Sequence, residues 1–514
     1  MTPTDPGTAP RPTGNRPLPL AELADLIGPP EGPGADVAVS GVTLASGEVA
    51  PGFLYAALPG ARTHGVRFAA DAAARGAVAL LTDPTGRADA LATGLPVCVV
   101  DAPRQVLGAV ADRVYGGPSR RLTVLGITGT NGKTTTSYLV EAGLAAAGRA
   151  TGLIGTVQAR TRAADGTVTA LPSIRTTPEA PALHALLAGM ADAGVDAVVM
   201  EVSSHALVQG RVGGVRFAAA GFTNLGRDHL DFHRDMEDYF QAKALLFDGR
   251  ATVELVTVDD DAGRRLGALR PDAGTVSLTG SADWTASDVR TAPDGGSAFT
   301  LHGPDGRSWP ARVRLPGRFN VANAVLAVAL LDAVGVAVED AVAGLAGIVV
   351  PGRMEPVDAG QPFVAVVDYA HTPDAVRTAL AALREATTGR LITVLGCGGD
   401  RDPGKRPEMG RVAAEGSDVL VVTDDNPRSE DPAAIRTAML TGTRDVPAGR
   451  RAEVLEIGDR RAALAAAVAL ARAGDTLLVA GKGHETGQEV AGTVHPFDDR
   501  TQLREVLAAS GTPA

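Results

Sequence analysis

The chain has 514 residues, 45% hydrophobic and 21% charged, and a formal net charge of −11. That length exceeds a single core and points to about three or four domains. The acidic balance argues against nucleic-acid binding, which draws on basic surface. No apolar run is long enough to insert in a membrane without charges or glycine breaks, and two cysteines, Cys98 and Cys397, exclude a disulfide framework and fit a reducing cytoplasm.

Residues 1–18 are broken by prolines, offer no apolar signal segment and read as a disordered tail. Residues 19–118 form a first αβ domain. Its strands are VAVSGVTLAS, GFLYAALPG, AVALLTD and LPVCVVD, with a helix over Phe68–Arg75, and Pro118–Arg121 is a linker. Residues 119–350 form a central domain. It opens with the β-branched run of Leu122–Thr136, LTVLGITGTNGKTTT, and a helix over Ser137–Ala147. The strands TGLIGTV, AVVMEVS, AAAGFTNLG and VELVTVDDD follow, then an antiparallel flap over Ser277–Val313 and a helix over Asn320–Val334. Residues 351–514 carry five strands, PFVAVVDYA, RLITVLG, SDVLVVTDD, RAEVLEI and DTLLVAG, separated by helices. That spacing predicts a doubly wound parallel sheet, so the fold class is α/β throughout.

Chemically loaded residues stand just after strand ends. In Leu122–Thr136, Gly126, Gly129 and Gly132 precede Lys133 and three threonines. Glycines let backbone N–H groups approach phosphate oxygens, the lysine adds a mobile charge near the β/γ-phosphates, and Thr134 can offer its hydroxyl to Mg²⁺. The generic motif would have glycine at 127, where this chain has Ile127, yet strand, loop, lysine and helix come in the required order. MEVSSHALVQGR brings Glu201, Ser203, Ser204, His205, Gln209 and Arg211 beyond one strand. TNLGRDHLDFH brings Asn224, Asp228, His229, Asp231 and His233 beyond the next. Hard oxygen ligands with an occasional imidazole suit Mg²⁺ on nucleotide phosphates. In the last domain, GCGGDRDPGKRPEMG, VVTDDNPRSEDP and VAGKGHETGQ follow three strands of one sheet. Their mixed acids and bases suit a zwitterion such as an amino acid, whose carboxylate arginine grips bidentately.

Of 48 basic residues only Lys133, Lys243, Lys405 and Lys482 are lysines. Where arginine serves as the general cation, the remaining lysines are enriched for work that needs a compact ammonium or an amine able to deprotonate and react.

The ordered set TGTNGKTT, RTTPE, EVSSHAL, TNLGRDHLDFH, YFQAKALLF, GRFNVANA, GRME, DYAHTPDA, GGDRDPGKRP, DDNPR and GKGHE resembles the Mur ligases over nearly the whole chain beyond the tail. The resemblance implies an N-terminal UDP-sugar-binding domain, a central P-loop ATPase domain on a parallel sheet and a C-terminal Rossmann-like domain for the incoming amino acid. It implies that Gly129, Thr130, Asn131, Gly132, Lys133, Thr134 and Thr135 bind ATP, with Asn320, Arg353 and Asp368 as further nucleotide contacts. Lys133, Lys243 and His229 become the catalytic residues. Thr134, Glu201, His229 and Lys243 become the holders of two Mg²⁺ ions, Lys243 acting as a CO₂-derived carbamate that turns a cation into an anion. Leu44, Ser46, Thr176, Thr177, Ser203, Gln209 and Arg211 match positions that contact UDP-N-acetylmuramoyl-L-alanyl-D-glutamate. Arg401, Asp425, Asn426, Pro427, Arg428, Gly481 and Glu485 match positions that hold diaminopimelate, the amino acid that goes with DDNPR.

The implied reaction is ATP-dependent amide formation between these partners through an acyl phosphate, in cytoplasmic peptidoglycan precursor synthesis, by a monomer. Alternatives are an L-lysine-adding or folylpolyglutamate-like relative, or an inactive nucleotide-binding regulator. A substrate lacking the distal carboxylate would leave Arg428 unpaired, which gives discrimination on the order of 10⁴ or more. The chain departs from the family at Ala45-Ser46-Gly47, where Asp-Ser-Arg is usual, and at His64-Gly65, where Asp-Gly is usual. Closure of the last domain on the central one predicts a hinge near residues 350–353.

Overall fold

Four short strands, Gly41–Thr43, Phe53–Ala57, Ala77–Thr82 and Val97–Val99, lie parallel in one N-terminal sheet. The computed structural model describes residue 12 and residues 14–60, 63–172, 175–292 and 295–511. Leu54, Ala56, Ala79 and Leu81 pack on one face and Tyr55, Ala57 and Leu80 on the other, so these strands are buried on both sides, as βα crossovers require. The run expected as one strand, VAVSGVTLAS, is broken at Ser40. Ala38–Val39 pairs antiparallel with Leu18–Pro19, and only Gly41–Thr43 enters the sheet. The expected tail therefore ends sooner: Asn15 donates to the Ser40 carbonyl at 2.8 Å. Residues 1–11 and 13 of that tail lie outside the described residues.

The central sheet has eleven strands. Its parallel part runs, in spatial order, Thr151–Ile154, Ala197–Glu201, Thr123–Thr128, Phe217–Phe222, Ala251–Thr257 and Gly274–Ser277. The segment expected as an antiparallel flap continues this same sheet. Trp284–Thr291 joins in parallel, and Ser297–His302 and Ser308–Val313 then turn antiparallel. A hairpin of Ala159–Arg162 and Val168–Leu171 extends the opposite edge. Helix Arg318–Ala333 is buried along most of its length against Leu139, Leu144 and the sheet.

The helix after the glycine loop begins at Lys133 and runs to Ala146, a turn earlier than the apolar run indicates. β-Branched threonines are weak helix formers, but Thr134, Thr135 and Thr136 are buried. Gly132, left-handed at φ +86°, turns the chain into the helix at the residue before Lys133.

The C-terminal sheet contains all five expected strands in parallel: Val364–Asp368, Thr476–Ala480, Leu391–Leu395, Val419–Val422 and Glu453–Glu456, in that spatial order. Glu355–Pro356 adds an antiparallel edge. The hairpin Gly487–Val490 with Thr493–Pro496 has no counterpart in the sequence reading.

Candidate active site

The phosphate loop is built by exclusion. At Gly129, φ +141°, a Cβ would fall 1.8 Å from Thr223 Oγ1, and at Gly132 one would fall 2.3 Å from Asn323 Oδ1. Only glycine lets the loop fold back so closely, and the first turn of helix Lys133–Ala146 then presents unpaired N–H groups to an anion. The Asn224 carbonyl and Asn224 Oδ1 hold Thr130 N–H and Asn131 N–H at 2.8 and 3.0 Å. Lys133 Nζ donates to the carbonyls of Gly129 and Thr130 at 2.8 and 2.9 Å. Burial pushes its ammonium below the ordinary value, although Glu201 and Asp228 favour the charge.

Thr134 Oγ1 donates to Glu201 Oε1 at 3.0 Å, and Thr156 binds the same carboxylate through N–H at 2.8 Å and Oγ1 at 3.0 Å. The threonine and carboxylate expected to hold Mg²⁺ thus stand together beside the helix N-terminus. His229 Nε2 is 3.7 Å from Asp228 Oδ2, and its ring meets His205 edge-on at 4.9 Å. Burial raises the Asp228 carboxyl, but His229, His371 and Lys133 outweigh it and hold the group ionised below its usual range. Among the described residues no three His, Cys, Asp or Glu side chains converge as a complete metal cage. Hard donors such as Thr134 and Glu201 fit Mg²⁺ that draws its remaining ligands from phosphate oxygens and water.

Lys243 is fully buried on helix Met236–Ala244, its Nζ 2.8 Å from the Gly129 carbonyl and 4.3 Å from the Tyr239 ring centre. Two of the four lysines therefore converge on one carbonyl oxygen. Burial, with Lys133 beside it, holds Lys243 well below its ordinary value, which favours a neutral, nucleophilic amine.

Thr130–Thr135, Thr156, Glu201, Asn224, Asp228 and His229 line a cleft of about 480 Å³ that also contains Asn320, Asn323, Thr176, Ser203 and, from the C-terminal domain, Arg353, Asp368, Tyr369 and His371, while Lys243 lies behind the loop and does not line it. Arg353 reaches Thr134 Oγ1 at 3.4 Å and stacks over Tyr369 at 4.3 Å. Its Nε is buried without a hydrogen-bond partner among the described residues, and the side chain lines a cleft of the size small ligands occupy. Asp368 accepts from Met354 N–H at 2.7 Å and Ala370 N–H at 2.8 Å, so it clamps the turn between domains as well as facing the cleft. Burial keeps its carboxyl above the usual value. Asn320 is buried and donates to the Pro316 carbonyl at 2.8 Å.

Thr177, Ser203, Gln209 and Arg211 form one network beside the cleft, which Ser203 lines. Thr177 Oγ1 donates to the Glu201 carbonyl at 2.8 Å, and Ser203 Oγ caps helix Ser204–Val208 through Ala206 N–H. Arg211 donates to Gln209 Oε1 and, at 3.0 Å, to the Thr177 carbonyl. Leu44 and Ser46 are not brought into the cleft: Leu44 packs against the N-terminal core, and Ser46 hydrogen-bonds Asp71. The departure at His64 has a local answer. Its Nδ1 accepts from Val66 N–H at 3.0 Å and its Nε2 meets Asp83 at 2.9 Å, so the imidazole caps the turn Gly65–Phe68.

The second cluster lies at the carboxyl ends of the C-terminal strands. Gly481, φ +110°, would put a Cβ 2.6 Å from Asp425 Oδ2, so glycine is what admits that carboxylate. Asn426 donates to Glu485 Oε2 at 2.8 Å and accepts from Lys482 Nζ at 3.1 Å, and Lys482 is wholly buried. Arg428 anchors on the Gly399 carbonyl, whose loop also packs against Pro427. Arg401 is exposed, and its expected place beside these groups is not seen. The two clusters meet where Tyr369 and His484 rings stand 5.0 Å apart and Gly352 packs against Gly483.

Sequence reasoning missed Thr156, Asn323 and Tyr239. Asn323 had a signal, lying one helical turn after Asn320 on the same face. Tyr239 had one too, standing four residues before Lys243 on one helix, whereas Thr156 had none, because its partner Glu201 is remote in the chain.

Three family models match the chain: "Mur ligase family, catalytic domain" over residues 38–115, "Mur ligase middle domain" over 127–331 and "Mur ligase, glutamate ligase domain" over 352–483. A UDP-N-acetylmuramoyl-L-alanyl-D-glutamate–2,6-diaminopimelate ligase of Streptomyces avermitilis is 54% identical over 506 residues, covering 97% of this chain and 98% of the relative. Its namesake from Streptomyces coelicolor is 53% identical over 504 residues, with 97% and 98% covered. A solved structure of a ligase with the same name is 30% identical, with a TM-score of 0.68 over 96% of this chain and 99% of that one. The chain belongs to the Mur ligase family.

Proposed function

We propose that this chain is the ATP-dependent ligase that joins diaminopimelate to UDP-N-acetylmuramoyl-L-alanyl-D-glutamate through an acyl phosphate. The observation that carries it is the meeting of two chemistries at residues 352–354: a phosphate cradle on one side and a mixed-charge amino-acid cluster on the other. The first is the ATP half, with Gly129–Thr135, Asn320, Arg353 and Asp368 around the nucleotide. Lys133 and the loop amides balance charge that develops on the transferring phosphoryl group. Thr134 and Glu201, with His229, are the groups that would hold Mg²⁺, which supplies charge neutralisation between anionic reactants when bound. Lys243, buried behind the phosphate loop against the Gly129 carbonyl, is the amine that would take up CO₂, releasing a proton as the carbamate forms.

Thr176, Thr177, Ser203, Gln209 and Arg211 receive the muramoyl-peptide carboxylate, while Leu44 and Ser46, outside that cleft, would meet the UDP-sugar end in the 19–118 domain. The 351–514 domain presents the attacking amine. Asp425, Asn426 and Glu485 receive ammonium groups and Arg428 a carboxylate. ADP release that requires both the nucleotide-sugar peptide and diaminopimelate supports this reading. ATP bound without any acyl-phosphate chemistry would favour an inactive regulator and overturn it.

A further inference from the structure

We propose that Glu489 is a specificity-determining residue, an internal counter-anion that occupies Arg428 until the distal carboxylate of the amino-acid substrate displaces it. This rests on the reading of the C-terminal cluster as a diaminopimelate site. The hairpin Gly487–Val490 with Thr493–Pro496 is woven along the loop that carries Asp425–Arg428. Arg428 N–H donates to the Glu489 carbonyl at 2.9 Å, and Ala491 N–H to the Arg428 carbonyl at 2.7 Å. Gln488 Nε2 donates to the Asp425 carbonyl at 2.7 Å, and Glu489 N–H to Asn426 Oδ1 at 3.0 Å. These bonds hold Arg428 in a left-handed backbone, φ +54°, that a non-glycine residue adopts only when its surroundings impose it.

The side chains then face each other on unequal terms. Arg428 Nη1 is anchored on the Gly399 carbonyl at 2.6 Å. Its Nε lies 3.4 Å from Glu489 Oε2, an ion pair with no hydrogen bond between the side chains, and the two are 24% and 39% exposed. Of the other carboxylates of the cluster, Glu485 lies against Lys482 at 3.3 Å and Asn426, and Asp425 is packed against Gly481. So Glu489 is the anion that partners Arg428, and it does so weakly. A half-exposed pair of this kind contributes little, while an incoming carboxylate in bidentate geometry on the guanidinium binds more strongly.

Two consequences follow for selectivity. A substrate without a distal carboxylate leaves the Arg428–Glu489 pair intact, so it loses a contact without leaving Arg428 unpaired. Discrimination is then smaller than an unpaired arginine would give. A substrate with that carboxylate must also accept Glu489 as a like-charged neighbour, which raises its KM.

The test is steady-state kinetics of Glu489→Gln with diaminopimelate and with L-lysine, at saturating ATP and nucleotide-sugar peptide. The expected result is a KM for diaminopimelate lowered by about two- to fivefold, the size of a weak ion pair. The KM for ATP and the lysine reaction stay unmoved, so selectivity rises by the same factor. Glu489→Ala gives the same sign and serves as the second variant should the first fail to fold. An unchanged KM for diaminopimelate would overturn the proposal, and a raised one would assign Glu489 to holding the substrate itself and overturn it as well. Absence of diaminopimelate turnover in the unsubstituted enzyme would overturn the parent reading, and this one with it.

Discussion

Lys243 is where composition, geometry and chemistry meet. A buried lysine costs stability unless it is neutral or paired, and here its acceptor among the described residues, the Gly129 carbonyl, is shared with Lys133. On the proposed reading its amine is the group that takes up CO₂. Lys243→Arg places a permanent guanidinium in that pocket, and the expected outcome is a kcat lowered by about 10²–10³, the scale of losing one preorganised electrostatic group. Calorimetry should find ATP affinity changed far less than kcat. Full activity in Lys243→Arg would remove the carbamate from the account. Lys133 and Lys243 were both legible in the sequence because arginine fills the other 44 of 48 basic positions (48 − 4). Glu489 was not legible, because its partner Arg428 lies far away in the chain and the two meet only through the hairpin.

Among the elements, the phosphate loop was readable because strand, glycines, lysine and helix are consecutive. Its helix start was not, since the apolar period says nothing of a turn built from threonines that tertiary burial stabilises. The clearest test at this scale is Gly132→Ala. The new Cβ would lie 2.3 Å from Asn323 Oδ1 on a backbone at φ +86°. The KM for ATP should rise by on the order of tenfold or more, because the amides can no longer converge on the phosphates, while the KM for diaminopimelate holds. Helix Arg318–Ala333 supplies the counterweight: Leu330→Ala, at a fully buried site, should cost about 2–5 kcal/mol in denaturant unfolding and leave both KM values near their starting point. The five C-terminal strands were legible as short apolar runs between helices. The hairpin Gly487–Val490 with Thr493–Pro496 was not, since it is half-exposed or exposed throughout and carries no apolar alternation.

At the scale of the whole molecule, the turn at 350–354 ties the nucleotide and amino-acid clusters together. Gly352 is φ +64°, with a Cβ position 2.1 Å from His484 N, so the expected hinge is latched to the GKGHE loop. Two imidazoles lie at this junction, and burial lowers His371 to about 4 and His484 to about 3 from an ordinary 6.5. A histidine lowered on folding is neutral in both states above pH 6.5, and below it the unfolded chain takes the proton first. Stability is therefore fully present above pH 6.5 and falls as pH drops toward 4. Urea midpoints measured across that window should decline, and His484→Gln should make the decline shallower. A midpoint that rose on acidification would contradict the buried, neutral assignment.

The central claim is that the nucleotide half activates a carboxylate and the C-terminal cluster selects diaminopimelate as its amine partner. The direct measurement is ADP release with the nucleotide-sugar peptide and a panel of meso-diaminopimelate, LL-diaminopimelate and L-lysine. The account predicts that kcat/KM for a diaminopimelate isomer exceeds that for L-lysine by at least about 100-fold, less than the order of 10⁴ an unpaired arginine gives because Glu489 keeps Arg428 partnered. Equal turnover of L-lysine would contradict it.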